Sequence, residues 1–262
     1  MNLYEKEMSN ILFDLVDNRG TIGVKTSFED EGATFNEVLR LKEVCNQSGT
    51  KINLKVGGPE AKRDLKDAMI IGVKGIVAPM VESQFGLNKF VQAVDSVVID
   101  QKTKQSLNLA INVETITAVN NLDSILQSEY ANSLYGITIG RVDLIGSMGI
   151  ARQDINSKKV CEIVAASFEK IKKAGLKTMM GGGLDKGSKD FVSSLQKQGL
   201  IDRVETRYVM FDASVCLNDF ESNLRQAQMF ELNWLKNKAE TYGHMSNSER
   251  NRMLMIKERL SN

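Results

Sequence analysis

The chain has 262 residues, 42% hydrophobic and 26% charged, enough to bury the core of one large α/β domain. Its 34 Lys and Arg balance 33 Asp and Glu for a formal net charge of +1, which leaves no basic excess to hold a phosphate backbone and argues against nucleic acid as the principal partner. No run approaches the roughly 18 apolar residues of a spanning helix, the N-terminal Met-Asn-Leu-Tyr-Glu-Lys-Glu lacks the basic start and apolar core of a signal peptide, and Cys45, Cys161 and Cys216 form no Cys-x-x-Cys pair; a cytoplasmic chain with small buried cysteines is expected.

In chain order, short apolar runs alternate with amphipathic segments of ten to fifteen residues, the pattern of βα units. Strands are expected at residues 21–28, 51–56, 75–80, 107–113, 136–142, 177–180 and 203–211, and helices at 35–47, 60–71, 85–94, 116–128, 157–174 and 189–197. Val38, Leu41 and Val44 show the three- and four-residue spacing of a buried helix face. Gly49, Gly72, Gly175 and Gly199 fall just past helix ends, where a left-handed cap is wanted. Seven βα repeats point to a (β/α)₈ TIM barrel over residues 1–217, its missing strand near residues 10–17 or 97–100; an open doubly wound sheet is the alternative. Beyond residue 218 the pattern changes to two long helices, 220–242 and 246–260, forming a C-terminal extension over 218–262. Their apolar positions, Trp234 among them, ask either for the barrel itself or for a second subunit, and a homo-oligomer is expected.

Two carboxylates stand out. Glu114 and Asp143 each end an apolar, β-branched run, so both belong at the C-terminal mouth of the barrel, where they can share one divalent cation. The plainer alternative is that Glu114 caps the helix from residue 116 and Asp143 opens the next segment.

Four segments carry a resemblance: Lys55-Val-Gly-Gly-Pro-Glu60-Ala, Gly-Ile-Val-Ala-Pro79-Met-Val-Glu82-Ser, Asn-Val-Glu114-Thr, and Ile-Gly-Arg141-Val-Asp143-Leu-Ile-Gly-Ser147-Met-Gly149. In this order and spacing the chain resembles the HpcH/HpaI aldolase and citrate lyase β-subunit family over roughly residues 20–215. The resemblance implies a barrel that uses Mg²⁺ or Mn²⁺ to bind a pyruvate-like 2-oxo acid or its enolate while a carbon–carbon bond is made or broken. By position it makes Glu114 and Asp143 the metal carboxylates. The implied reaction is cleavage of a 4-hydroxy-2-oxo acid to pyruvate and an aldehyde, or its reverse. Rival readings are a citrate-lyase-like acyl-CoA lyase, which would want a basic rim for nucleotide phosphates, and a non-catalytic metal- or oxo-acid-binding barrel.

The chain departs from the family pattern in two places. Lys55 stands where the family usually has an arginine, so the enolate or carboxylate charge falls to Lys55 as a point charge, or to Arg141 or Arg207. Arg141 lies two residues before Asp143, which strand alternation would aim to the same side. Gly57 and Gly58, and later Gly181, Gly182 and Gly183, can bring backbone N–H groups to an anion, and Ser147 is assigned to substrate binding on its place in the fourth segment. The second departure is the absence of a barrel histidine; the sole histidine, His244, sits in the C-terminal tail. Proton transfer is then left to a carboxylate, Glu29, Glu31, Glu82 or Glu205, with Glu29 favoured in the acidic group Glu29-Asp30-Glu31, or to His244 from a neighbouring subunit.

Overall fold

A computed structural model describes residues 1–243 and 245–261; His244 and the reading attached to it lie outside the described residues. Eight strands close a single barrel in chain order: β1 Thr21–Ser27, β2 Ile52–Lys55, β3 Gly75–Ala78, β4 Asn108–Val113, β5 Gly136–Gly140, β6 Lys177–Gly181, β7 Arg203–Glu205 and β8 Val209–Asp212. Closure rules out the open sheet. Neighbours from β1 to β7 are parallel, with Val24 opposite Ile52 and Val113 opposite Ile139 in register. Helices surround the strands, and β5 is buried at every position, as expected of a strand covered on both faces.

The eighth strand is not where the sequence pattern pointed. Residues 10–17 lie inside the helix Leu3–Asn18, and residues 97–100 finish one helix and lead into the next. The run 203–211 instead divides in two, with Thr206, Arg207 and Tyr208 as the turn. Thr206 closes it, its N–H donating to the Val209 carbonyl at 2.9 Å and its hydroxyl accepting from the Val209 N–H at 3.0 Å. So short a connection can reverse the chain but cannot carry a parallel crossover, which takes a dozen residues or more. β8 therefore runs antiparallel to both β7 and β1, and the barrel departs there from eightfold βα repetition. The turn also sets Arg207 at the mouth of the barrel.

The helix Leu3–Asn18 forms because Asn2 and Glu5 make a reciprocal capping box, with distances of 3.0 and 2.9 Å, and because Met8, Leu12 and Leu15 share one buried face. That face packs against β1, a neighbouring helix and the long helix Phe220–Asn237. Gly49, Gly72, Gly175 and Gly199 all adopt the left-handed conformation expected past helix ends. Cys45 and Cys216 are buried, and burial pushes each thiol up to about 12, as suits inert core residues.

The C-terminal helices pack on one another and on the rest of the chain, while Leu254 of the last helix is exposed. Trp234 is buried, and Leu232, Leu235 and Ile256 join Phe220–Asn237 to the last helix, Asn247–Ser261. Polar contacts fix the same pairing: Arg252 grips Glu231 through two bonds of 2.6 and 2.8 Å, and Arg225 donates to the Leu260 carbonyl at 2.9 Å. Buried Lys238 ties Glu249 to Glu37 of an earlier helix. Among the described residues no helix is long and apolar enough to cross a membrane.

If Leu3–Asn18 is an integral part of this packing, Leu12→Ala should cost about 2–5 kcal/mol, whereas Leu3→Ala, 69% exposed, should stay within about 0.5 kcal/mol. Urea unfolding of both variants checks this; equal midpoints would contradict the packing described.

Candidate active site

The C-terminal ends of the strands open into a cavity of about 680 Å³, lined by strand ends and loops on one side and by the two C-terminal helices on the other. Glu114 follows the last residue of β4, is 2% exposed, and is held by two hydrogen bonds. One oxygen, Oε1, accepts from the Met80 N–H at 3.0 Å; Oε2 accepts from the Asn112 side-chain amide at 3.0 Å. Met80 makes its bond from a left-handed backbone, φ 51°, unusual for a residue with a side chain. Opposite, Gly140 leaves the space that Oε2 fills, since a Cβ there would lie 2.6 Å from it. The helix that follows is capped by Thr115, whose hydroxyl accepts from the Ala118 N–H at 3.1 Å, so the Glu114 carboxylate is not its cap.

β5 stops at Gly140 and a helix, Arg141–Ser147, starts immediately, which places Asp143 in its first turn. The helix dipole favours a carboxylate there, and Asp143 opens onto the cavity with no hydrogen-bond or ion-pair partner among the described residues. Burial raises the pKa of Glu114; Lys55 and the Met80 N–H oppose the rise and Asp143 adds to it. Partial enclosure likewise raises Asp143, with Lys55 opposing and Asp30 and Glu29 adding. Lys55 ends β2 with its ammonium 2.7 Å from Glu29. Burial alone would lower its pKa, but the Glu29 bond and the charges of Glu114, Glu29 and Asp30 outweigh that and hold it above the ordinary value.

Two carboxylates facing one lysine make a hard-oxygen donor pair with charge to spare. No group of three or more His, Cys, Asp or Glu able to hold a metal occurs among the described residues. The pair fits a cation of the Mg²⁺ type, which takes one or two carboxylates and fills its remaining positions with water and substrate oxygens.

The other expected residues separate. Arg207 lines the cavity, 3.1 Å from Asp30 and 3.8 Å from Glu31, and those charges raise its pKa against the effect of burial. Arg141 does not line it. Because the strand has ended, positions 141 and 143 sit two apart on a helix and point to different sides. Arg141 is fully buried instead, donating to Asn156 at 2.8 Å and Ser188 at 3.2 Å, and burial lowers its pKa to about 10. It braces loops that carry cavity residues such as Asp185. Gly57 and Gly58 also fall outside the lining, and the Gly57 N–H is occupied by the Asp64 carboxylate at 2.7 Å. Ser147 accepts from the Ile116 N–H at 2.9 Å and donates to Leu144, away from the cavity. Gly181, Gly182 and Gly183 do line it; Gly182 is left-handed, φ 79°, and packs so closely on the start of the Arg141 helix that a Cβ would lie 2.8 Å from the Val142 nitrogen.

Among the candidate proton carriers, Glu29 is engaged with Lys55 and does not line the cavity, and Glu82 contacts Thr115 outside it. Glu205 lines it but is bound to Lys25 at 2.6 Å. Glu31 lines the cavity with its side chain 5% exposed, accepting from the Thr26 hydroxyl at 2.8 Å. Burial raises its pKa to about 7, against the opposing influence of Arg207, Thr26 and Tyr208. The strand ends at Ser27, so alternation does not extend to residues 29–31, and the bend turns Glu31 inward. Lys25, Asn112, Arg152 and Arg259 are cavity residues that the sequence reading passed over. Asn112 alone had a legible signal, being two residues before Glu114 on one strand face.

The family model described as HpcH/HpaI aldolase/citrate lyase matches residues 35–181. No curated protein sequence matches the chain significantly. Among solved structures, an HpcH/HpaI aldolase from Desulfitobacterium hafniense DCB-2 is similar at 17% identity and TM-score 0.63, covering 78% of this chain and 82% of that one. The citrate synthase SbnG is similar at 17% identity and TM-score 0.62, covering 86% and 89%. A HpcH/HpaI aldolase/citrate lyase family protein from Burkholderia cenocepacia J2315 is similar at 15% identity and TM-score 0.60, covering 87% and 92%. At these identities the likeness concerns the fold.

Two measurements test the site's geometry. Gly140→Ala should displace Glu114 and cost about 1–3 kcal/mol, while Gly146→Ala, where a Cβ meets nothing within 4 Å, should be neutral or stabilising by up to about 1 kcal/mol; equal denaturation midpoints would contradict the clamp. For Glu31, the folded chain keeps a proton up to about pH 7 against an ordinary value of 4.5. Over that interval the folded state binds more protons than the unfolded one, so stability falls as pH rises, by up to about 3 kcal/mol. Glu31→Gln cannot ionise and should flatten this stretch; a melting-temperature series with the wild-type slope intact would remove the assignment.

Proposed function

Since the chain belongs to the HpcH/HpaI aldolase/citrate lyase family, we propose that it is a divalent-metal-dependent carbon–carbon lyase that cleaves a 4-hydroxy-2-oxo acid to a pyruvate-like acid and a carbonyl fragment, or joins them. The observation that supports this best is the meeting of Glu114, Asp143, Lys55 and the buried carboxyl of Glu31 on one cavity at the strand ends. Mg²⁺ or Mn²⁺ held by Glu114 and Asp143 would supply Lewis-acid charge to the oxygen of the 2-oxo group.

The chain's own residues account for the rest. Asn112, the Met80 N–H and the gap at Gly140 fix the Glu114 oxygens, so its position does not relax as charge develops nearby. Lys55 adds positive charge beside the same carboxylates and favours a substrate carboxylate and an enolate oxygen. Ionised Glu31 takes the proton of the 4-hydroxyl group; the C3–C4 bond breaks, its electron pair moves to C3, and the 4-carbon leaves as a carbonyl. Protonated Glu31 then returns that proton to C3, completing the pyruvate methyl group. A pKa of about 7 lets one carboxyl do both at neutral pH. Buried Tyr208, through a side-chain hydrogen bond, and Arg207, through its charge, hold the carboxyl in place.

Incubation of the protein with pyruvate in D₂O should show loss of the methyl proton signal only when Mg²⁺ or Mn²⁺ is present. Glu114→Ala and Asp143→Ala should lower the exchange rate at least a hundredfold, and Glu31→Gln should remove the rise in rate through about pH 7. Absence of exchange with either metal in folded protein would overturn the proposal, and turnover of an acyl-CoA panel would then favour the thioester reading.

A further inference from the structure

A second cavity, of about 320 Å³, lies at the opposite end of the barrel, where the strands begin. Strand alternation sets its contents. Lys25, Lys55, Asn112 and Glu205 face the strand-end cavity, so residues an even number of places before them face inward at the other end. These are Thr21 on β1, Lys51 just before β2, Asn108 on β4 and Arg203 on β7, and all four line the second cavity. Lys51 belongs to the same ladder, because its carbonyl accepts from the Val24 N–H at 2.8 Å. Lys74, just before β3, completes the polar wall. β1 crosses the barrel from one cavity to the other, and its two ends lie roughly 20 Å apart.

Lys51, Lys74 and Arg203 bring three positive charges to this cavity, and among the described residues no carboxylate lines it. None of the three has an ion-pair partner among the described residues. Lys74 donates to the Ser106 carbonyl, while Arg203 lies over the Tyr135 ring at 4.5 Å and donates to the Tyr135 hydroxyl and, at 3.9 Å, to the Met179 sulfur. Such neutral contacts orient the cations without cancelling their charge, and like charges sharing a concavity repel one another. Thr21 adds an independent sign. It is 7% exposed on the cavity wall, and its hydroxyl is buried with no hydrogen-bond partner among the described residues. A buried hydroxyl left unpaired is costly and uncommon, and a ligand oxygen in the cavity would pair it. The Asn108 side chain, half-buried on the same wall, likewise has no hydrogen bond among the described residues.

We propose that the cavity at the strand starts binds a compact, multiply charged oxyanion of the phosphate type. Lys51, Lys74 and Arg203 supply the charge, and Thr21 and Asn108 donate to the oxygens. This site is separate from the strand-end cavity and stands whether or not that cavity is a lyase site. Two ammonium groups acting as point charges and one guanidinium with planar donors suit a dianion better than a monoanion. The volume, about 320 Å³, is at the lower edge of the roughly 300–1,000 Å³ of ligand pockets, which suits inorganic phosphate or the phosphate ester of a three-carbon polyol.

The test is calorimetric titration of the whole chain with inorganic phosphate, glycerol 3-phosphate and acetate at matched ionic strength. Divalent metal is left out, so that no metal holds the anion at the other end. At least one of the two phosphates should bind roughly tenfold or more tightly than acetate, and the tighter of them identifies a free phosphate or an ester as the ligand. Lys51→Gln and Thr21→Val should each weaken that binding by about fivefold or more, while Lys55→Gln, at the far end of β2, should leave it within about twofold. Lys51 is exposed, so its replacement leaves the core intact. Thr21→Val keeps the side-chain shape and removes the unpaired hydroxyl, so its melting temperature without anion should hold or rise. Equal affinity for phosphate and acetate, or binding of neither phosphate, would overturn the site. Binding weakened in Lys55→Gln and untouched in Lys51→Gln would place the anion at the strand ends and overturn it equally.

Discussion

A buried carboxylate without a full counter-charge is the constraint around which the mouth of this barrel is built. Glu114 is nearly inaccessible to solvent, and it is satisfied by two neutral donors, a backbone N–H and an amide, while its charge is opposed at a distance by Lys55. Removing a charge from water is costly unless hydrogen bonds and opposite charge compensate it. Here the hydrogen bonds are complete and the charge is not, since Asp143 adds a second carboxylate to the same space. The left-handed Met80 and the missing side chain at Gly140 are local costs accepted to hold that geometry.

The means of closing the barrel bears directly on the composition of the cavity. Because β8 returns antiparallel from a three-residue turn, Arg207 is carried to the mouth beside Glu31, and the chain leaves from the opposite end. From there the helix Phe220–Asn237 rises along Leu3–Asn18, passing the mouth with Leu224, Gln228 and Glu231 facing the cavity. The last helix runs back beside it, fixed by the Arg252–Glu231 and Arg225–Leu260 contacts, and adds Ser248, Arg252 and Arg259. One wall of the site is therefore made by elements outside the repeating βα pattern.

Much of this was legible from residue order. The apolar runs located the strands, the spacing of Val38, Leu41 and Val44 located a helix face, and both strand-end carboxylates lie where barrel geometry puts them. Where the structure differs, the causes are separate. Alternation was carried beyond β5 to Arg141, where a helix had already begun, and the Gly57 N–H that an anion could have used is taken by the Asp64 carboxylate. The run 203–211 concealed a turn because Thr206-Arg207-Tyr208 contains neither glycine nor proline, and its reversal is closed by the backbone N–H and the hydroxyl of Thr206, both bonded to Val209.

Sequence by itself determined the alternation of strands and helices, the left-handed glycine caps and the placing of Glu114 and Asp143 just past apolar strands, because each follows from periodicity or backbone freedom over a few neighbouring residues. Closure of the barrel depends instead on the pairing of β8 with both β7 and β1. Only the tertiary structure decided which charges are paired and which are free. Arg207 meets Glu31, Lys25 meets Glu205, Arg252 meets Glu231, and Arg152 and Arg259 reach one cavity from opposite ends of the second half of the chain. Coulomb interactions and desolvation depend on distance and enclosure in three dimensions, and separation along the chain carries almost no information about either.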